Sequence, residues 1–222
     1  MTSPLLTRPG AVALPPSQGA AAGAVSDAGV AWHYGDPMRE QRALAAGAAV
    51  TDLSHRGLLV VTGADRLAWL HSLTTQHLTD LVPGASVETL ILSPHGHVEH
   101  SLHLVDDGER TWLSVEPGAA QPVAEWLRGM RFRKRVDVAD VSADWAALGV
   151  VTGPDGALPA GLHLSPTASG AAPSWQDPWP APGPDTGVYT SGDVADHPGW
   201  ARPWREVWLA RAELEAAVGE VG

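Results

Sequence analysis

The sequence predicts an α+β fold: a ferredoxin-like α/β unit over residues 57–141, packed on a second, incomplete α/β unit built from residues 32–56 and 142–218. Three observations lead there. From Val98 to Val105, Val98, His100, Leu102 and Leu104 alternate with Glu99, Ser101 and His103, the period of a half-buried strand. Val123, Trp126, Leu127 and Met130 fall at i, i+3, i+4 and i+7, the apolar stripe of a helix. Turn residues at Gly63-Ala64-Asp65, Pro83-Gly84, Pro94-His95-Gly96 and Asp106-Asp107-Gly108 cut residues 57–141 into strand, helix, three-strand meander, helix and closing strand.

Each element has its own reason. Residues 1–30 are rich in Ala, Gly, Pro and Ser without periodicity and read as a disordered leader. Asp36-Pro37 supplies an N-cap and an N1 proline, and Gly47 stops the helix that follows. A strand spans Ala49 to Leu53, and the apolar run Leu58 to Thr62 is a buried strand. A helix starts at Gly63-Ala64-Asp65, with Leu67, Leu70 and Thr74 on one face and Trp69 and Leu73 adjoining it. Val87–Leu92, Val98–Val105 and Thr111–Val115 form the meander, Pro117 opens the second helix, and Val136, Val138 and Val141 mark the closing strand. Ala146–Thr152 reads as buried strand. Residues 153–185 are far longer than an ordinary connection and read as a mobile loop. A strand near Val188, a segment holding Trp200, Trp204 and Trp208, and a helix over 211–218 complete the chain. Pro203 disfavours a helix through those tryptophans, which read as core or interface.

Composition narrows the function classes. With 25 acidic against 14 basic residues the chain carries −11, a field that repels a phosphate backbone and argues against nucleic acid. Cysteine is absent, so disulfides, thiolate metal sites and cysteine nucleophiles are excluded. No run of about 18 apolar residues is present, so no membrane partner is expected, and the N-terminus has no signal-peptide core. The cytoplasm is the expected compartment. One basic knot, Arg131-Phe132-Arg133-Lys134-Arg135, stands out from the acidic background.

Several motifs in order resemble one family. Gly63-Ala64-Asp65 with Trp69-Leu70, the turn Leu81-Val82-Pro83-Gly84, the glycine hairpin at Gly96-His97-Val98, the closing segment Arg131–Val138, and Trp204–Val207 with Arg211–Leu214 are similar to segments of YgfZ-type folate-binding proteins. These belong to the superfamily of the glycine-cleavage T-protein, an aminomethyltransferase. The resemblance covers roughly residues 32–218. It implies a tetrahydrofolate-binding protein connected with iron–sulfur protein assembly, with folate as ligand and iron–sulfur proteins as partners, and with binding rather than catalysis as its role. It places Thr89, Val98, His100 and Glu116 along the pterin and Arg131 and Arg133 near the glutamate tail, where arginine's bidentate fork suits carboxylates.

Departures separate the subfamilies. The T-protein pattern has an Asp-Asp pair where this chain has His100 and Ser101, an asparagine at Glu116 and a tyrosine near Thr89. Serine cannot hold or relay a proton as a carboxylate does. This counts against the alternative function, a tetrahydrofolate-dependent aminomethyltransferase. The Lys-Gly-Cys segment of YgfZ proteins has no counterpart, which implies a truncated chain or a companion C-terminal half.

A second alternative is a metallo-β-lactamase-like hydrolase, since His95-Gly96-His97-Val98-Glu99-His100 matches the H-x-H-x-[DE]-H metal signature. Exposed hairpin histidines explain the same residues. His55-Arg56 reads as an exposed strand-edge pair, and the single glycine of Gly63-Ala64-Asp65 carries no dinucleotide signal.

Overall fold

The computed structural model describes residues 2–14, 27–153, 155–166, 170, 172–181 and 193–219. Eleven strands and four α-helices are found among them, and the α+β expectation holds. In chain order they are β1 (Val12–Ala13), β2 (Ala31–His33), α1 (Pro37–Ala45), β3 (Val50–Asp52), β4 (Gly57–Thr62), α2 (Arg66–Leu73), β5 (Ser86–Leu92), β6 (Val98–Asp106) and β7 (Arg110–Val115). Then follow α3 (Ala120–Gly129), β8 (Asp137–Asp140), β9 (Trp145–Val151), β10 (Ser174–Gln176), β11 (Trp204–Ala210) and α4 (Leu214–Val218).

β1 and β2 pair as a short antiparallel ribbon, and the other nine strands form two larger antiparallel sheets. The first has the order β5-β6-β7-β4-β8, the second β10-β11-β9-β3. On the first sheet, Leu59, Val61, Leu102, Leu104, Leu113 and Val115 point one way and pack against Trp69 and Leu70 of α2 and Val123 and Leu127 of α3. Their neighbours Leu58, Val60, Val105 and Trp112 point the other way, onto Ala147, Trp175 and Trp208 of the second sheet. The far side of the second sheet buries Leu148, Val150, Val207 and Leu209 against Leu5, Leu214 and Val218. The result is helix, sheet, sheet, then a layer of α4 and the N-terminal turn. Because the first sheet is covered on both faces, β6 is not the half-buried strand its alternation predicts. From Leu102 onward its polar face lies under the second sheet.

Two close approaches fix the framework. Gly63 sits at φ +109, and any Cβ there would meet the backbone oxygen of Arg135. Only glycine therefore joins β4 to α2. At Gly149 of β9 the ring of Trp204 rests where a side chain would stand.

Three expectations need correction. The leader is not structureless where it is described. Pro4–Thr7 form a 3₁₀ turn capped by Ser3, Leu5 is 2% exposed, and Ser3 Oγ donates to Asp52 at 2.5 Å. One leucine with a cap is enough to anchor a segment whose composition reads as disordered. The long loop 153–185 contains β10, held by pairing with β11 and by burial of Trp175. In agreement with the absence of a helix through the tryptophans, Trp204–Ala210 is a strand, paired along its length with β9. Helix α3 starts three residues after Pro117, because Pro117–Ala119 form a turn. The strand expected near Val188 lies outside the described residues.

Candidate functional site

The face of the first sheet that looks toward the second carries a row of polar side chains. Glu88 of β5, His103 of β6 and Ser114 of β7 stand opposite one another in register. Ser101 lies two residues before His103, on the same face. From the second sheet Glu206, 2% exposed, reaches into this row between Trp204 and Trp208. His103 Nδ1 lies 2.9 Å from Glu206 Oε1, and Arg56 Nε lies 3.6 Å from that oxygen while donating to Ser114 Oγ at 2.9 Å. Burial pushes the Glu206 carboxyl up, but the hydrogen bond with His103 and the charge of Arg56, with lesser help from Ser114, outweigh it. The group is held below the ordinary glutamate value.

Tryptophans close the row. The Trp175 indole stacks on His103 with ring centroids 3.7 Å apart and planes 2° apart, and its Nε1 donates to the carbonyl of Val87. Trp179 Nε1 donates to Glu88 Oε2, while Ser101 Oγ donates to Glu88 Oε1 at 2.9 Å.

At the glycine-hairpin end of the row lies Glu116, directly after β7. Its Oε1 accepts from the backbone N–H of Ser101 at 3.0 Å. Its Oε2 is buried, has no hydrogen-bond partner, and stands 3.9 Å from His100 Nδ1. The side chains of His100 and Glu116 remain 28% and 31% exposed. A carboxylate fixed at one oxygen and unpaired at the other suits a ligand carrying N–H groups.

The six residues expected along a folate do not converge. His100 and Glu116 meet. Val98 is 60% exposed on the hairpin. Thr89 is fully buried, and its hydroxyl accepts the N–H of Gln76, tying down the loop after α2 instead of facing a ligand. Arg131 and Arg133 are exposed in the turn before β8, at the end of the sheet away from the glycine hairpin. Within that knot Arg131 stands 3.8 Å from Asp137, and Arg135 is bound bidentately by Asp65. The arginine hydrogen bonds hold Asp65 down at about 2. A cavity of about 490 Å³ lies against the second sheet, beside α1, and not beside His100.

His95 and His97 sit in the exposed hairpin turn, and the chain continues as β6 where a metal hydrolase needs a helix. Among the described residues no three His, Cys, Asp or Glu side chains are grouped to hold an ion. The metallo-hydrolase alternative is set aside on that geometry.

Arg56, His103, Trp175 and Glu206 escape sequence reasoning as a site. His55-Arg56 is no exposed edge: the side chains are 7% and 17% exposed. A signal was present in Trp204-x-Glu206-x-Trp208, a charge on an otherwise apolar face, which demands a buried partner.

The sequence model of the GCVT N-terminal domain matches residues 15–157. An aminomethyltransferase of Geobacillus kaustophilus is 33% identical over 110 residues, 49% of this chain and 30% of that protein. One from Symbiobacterium thermophilum is 29% identical over 150 residues, 66% of this chain and 39% of that protein. The chain thus spans well under half the length of these relatives. Among solved structures, the glycine cleavage system aminomethyltransferase T of Bartonella henselae superposes with a TM-score of 0.52 at 18% identity, over 78% of this chain and 45% of that one. That likeness concerns the fold. Among the described residues no helix is long and apolar enough to cross a membrane.

Proposed function

Since the chain belongs to the GCVT N-terminal domain family, we propose that it binds a reduced folate and serves, in the cytoplasm, as a YgfZ-like accessory protein for iron–sulfur proteins. The single observation that carries the binding is Glu116. Its Oε2 is a buried acceptor left empty, next to His100, on a carboxylate already oriented by the N–H of Ser101. A pterin presents adjacent N–H donors on one edge, and a carboxylate is the group that accepts them with charge-assisted bonds. Val98 flanks the open hairpin side of this pair. Thr89 and the arginines are left out of the proposed site: Thr89 is buried and bonded, and the basic knot is at the sheet's other end.

The accessory role is preferred to group transfer because the positions resembling the T-protein's acidic pair are His100 and Ser101. Ser101 spends its hydroxyl on Glu88 and has no ionisable proton near neutrality. The iron–sulfur connection rests on the resemblance to YgfZ-type proteins, and a companion C-terminal half would complete the relatives' length.

Two assays test these statements. Calorimetric titration with 5-formyltetrahydrofolate should give saturable heat, and its absence at high protein concentration removes the folate reading. Transfer of a methylene group from an aminomethyl donor to tetrahydrofolate should stay at background. Turnover above it would make the chain a transferase.

A further inference from the structure

The cavity of about 490 Å³ lies between the N-terminal 3₁₀ turn, β2, α1 and β3, on the side of the second sheet turned away from the row of Glu88 and His103. Its volume is in the range of cavities that take small organic molecules. Leu5, Leu44, Val50 and Val218 make an apolar floor, and Trp32, 65% exposed, stands at the rim.

The polar groups around it are mostly engaged by the protein itself. Glu40 accepts the backbone N–H groups of Tyr34 and Asp36. Asp36 caps α1 by accepting from Arg39, Asp52 accepts from Ser3 and from the N–H of Ser54, and Arg8 donates to the carbonyl of Gly219. One lining group is different. The Tyr34 hydroxyl is buried and has no hydrogen-bond partner, the one such atom on the lining among the described residues. Burial first, and the charge of Asp52 second, push its pKa up to about 12, so it is a neutral O–H donor at physiological pH. An unmet buried donor of this kind costs about 1–3 kcal/mol, and a ligand oxygen removes that cost.

We propose that this cavity is a second small-molecule site, for an uncharged ring compound carrying one carbonyl-type acceptor, which the Tyr34 hydroxyl binds while Trp32 covers the ring. Neutrality follows from the lining. Its carboxylates already hold protein donors, Asp52 opposes an anion at Tyr34, and Arg8 opposes a cation. The site is separate from the Glu116 region and does not depend on the folate reading.

The test uses the full chain labelled with ¹⁵N and 1-tetralone as the probe, an uncharged bicyclic ketone, with tetralin as the same ring system lacking the oxygen. The indole N–H signal of Trp32, identified by its loss in Trp32→Phe, should shift saturably with 1-tetralone. Tyr34→Phe should weaken 1-tetralone about five- to tenfold, the worth of one neutral hydrogen bond, and leave tetralin unchanged. Ala43→Phe, which fills the cavity from α1, should abolish both. No saturable shift with 1-tetralone overturns the proposal, and so does equal affinity in Tyr34→Phe, the result expected if water satisfies that hydroxyl. Excess 5-formyltetrahydrofolate should not displace the probe. Displacement would merge this site with the folate one and contradict their separation.

Discussion

Glu206 sits on the inward face of β11, where an unpaired charge costs several kcal/mol, and its neighbours determine its state. His103→Ala removes its shortest hydrogen bond and leaves Arg56 at 3.6 Å as the remaining counter-charge. We expect a loss of about 2–4 kcal/mol in urea unfolding at pH 7. The carboxyl's folded pKa lies below its ordinary value of 4.5. Its contribution is therefore complete above that value and is lost as pH falls through the lower folded pKa. Unfolding free energy measured between pH 7 and pH 3 should fall more steeply in the wild type than in Glu206→Gln. Equal slopes would mean that the ion pair is not formed. Residue by residue, the sequence showed Glu206 as a charge between two tryptophans but not the identity of its partners. His103 lies 103 positions away, on a strand whose alternation assigns it to solvent. The pairing of two sheets, a tertiary fact, reverses that assignment. Resemblance to a family put forward His100 and Glu116, which lie 3.9 Å apart, and Thr89, which is buried and accepts from the N–H of Gln76. In sequence an inward position on a covered strand looks the same as a ligand-facing one.

At the scale of elements, local signals are legible in the sequence wherever they are self-contained. Asp36-Pro37 does start α1, with Asp36 Oδ1 accepting from the N–H of Arg39 at 3.0 Å. Asp36→Ala should lower thermal stability by about 1 kcal/mol. If α1 serves only as packing, helical content elsewhere stays unchanged. Gly63 reads in the sequence as a turn residue, but the reason it must be glycine, φ +109 against the Arg135 carbonyl, needs the closing strand in place. Gly63→Ala should cost about 3 kcal/mol or more, from backbone strain and displacement of β8. A drop under about 1 kcal/mol in chemical denaturation would contradict that geometry. Strands β10 and β11 escaped prediction for opposite reasons. Three residues of β10 lie inside a Pro/Gly/Ala stretch too short to show a period. β11 sets Arg205 and Glu206 side by side, so a charge falls on each of its faces and neither reads as cleanly apolar, with Pro203 just ahead of it. β11 is held by its pairing with β9 and β10 by its pairing with β11, with Trp175 and Trp208 buried, not by local preference.

For the whole molecule, the layered packing depends on connections between distant parts of the chain. Arg211, after β11, donates through Nη2 to the carbonyls of Ser54, Ser142 and Trp145, joining the ends of three segments. Burial pulls its pKa below the ordinary arginine value, against the pull of Asp52, yet it remains a cation at any physiological pH. Arg211→Ala leaves those carbonyls without their donor and should cost about 3 kcal/mol, read as a lowered urea midpoint with an unchanged slope. A changed slope would indicate that the sheets separate independently. The N-terminal turn, read from composition as leader, instead completes the outer layer through Leu5 and Ser3. Composition reports average behaviour, and one buried leucine is invisible to it.

The central claim is that Glu116 offers its empty oxygen to a reduced folate. The dissociation constant of 5-formyltetrahydrofolate should be compared by calorimetry between the wild type and Glu116→Gln, a change that keeps the acceptor for the Ser101 N–H. Replacing a charged acceptor by a neutral one should weaken binding about ten- to a hundredfold. Equal affinity in the two proteins, or none in either, contradicts the account.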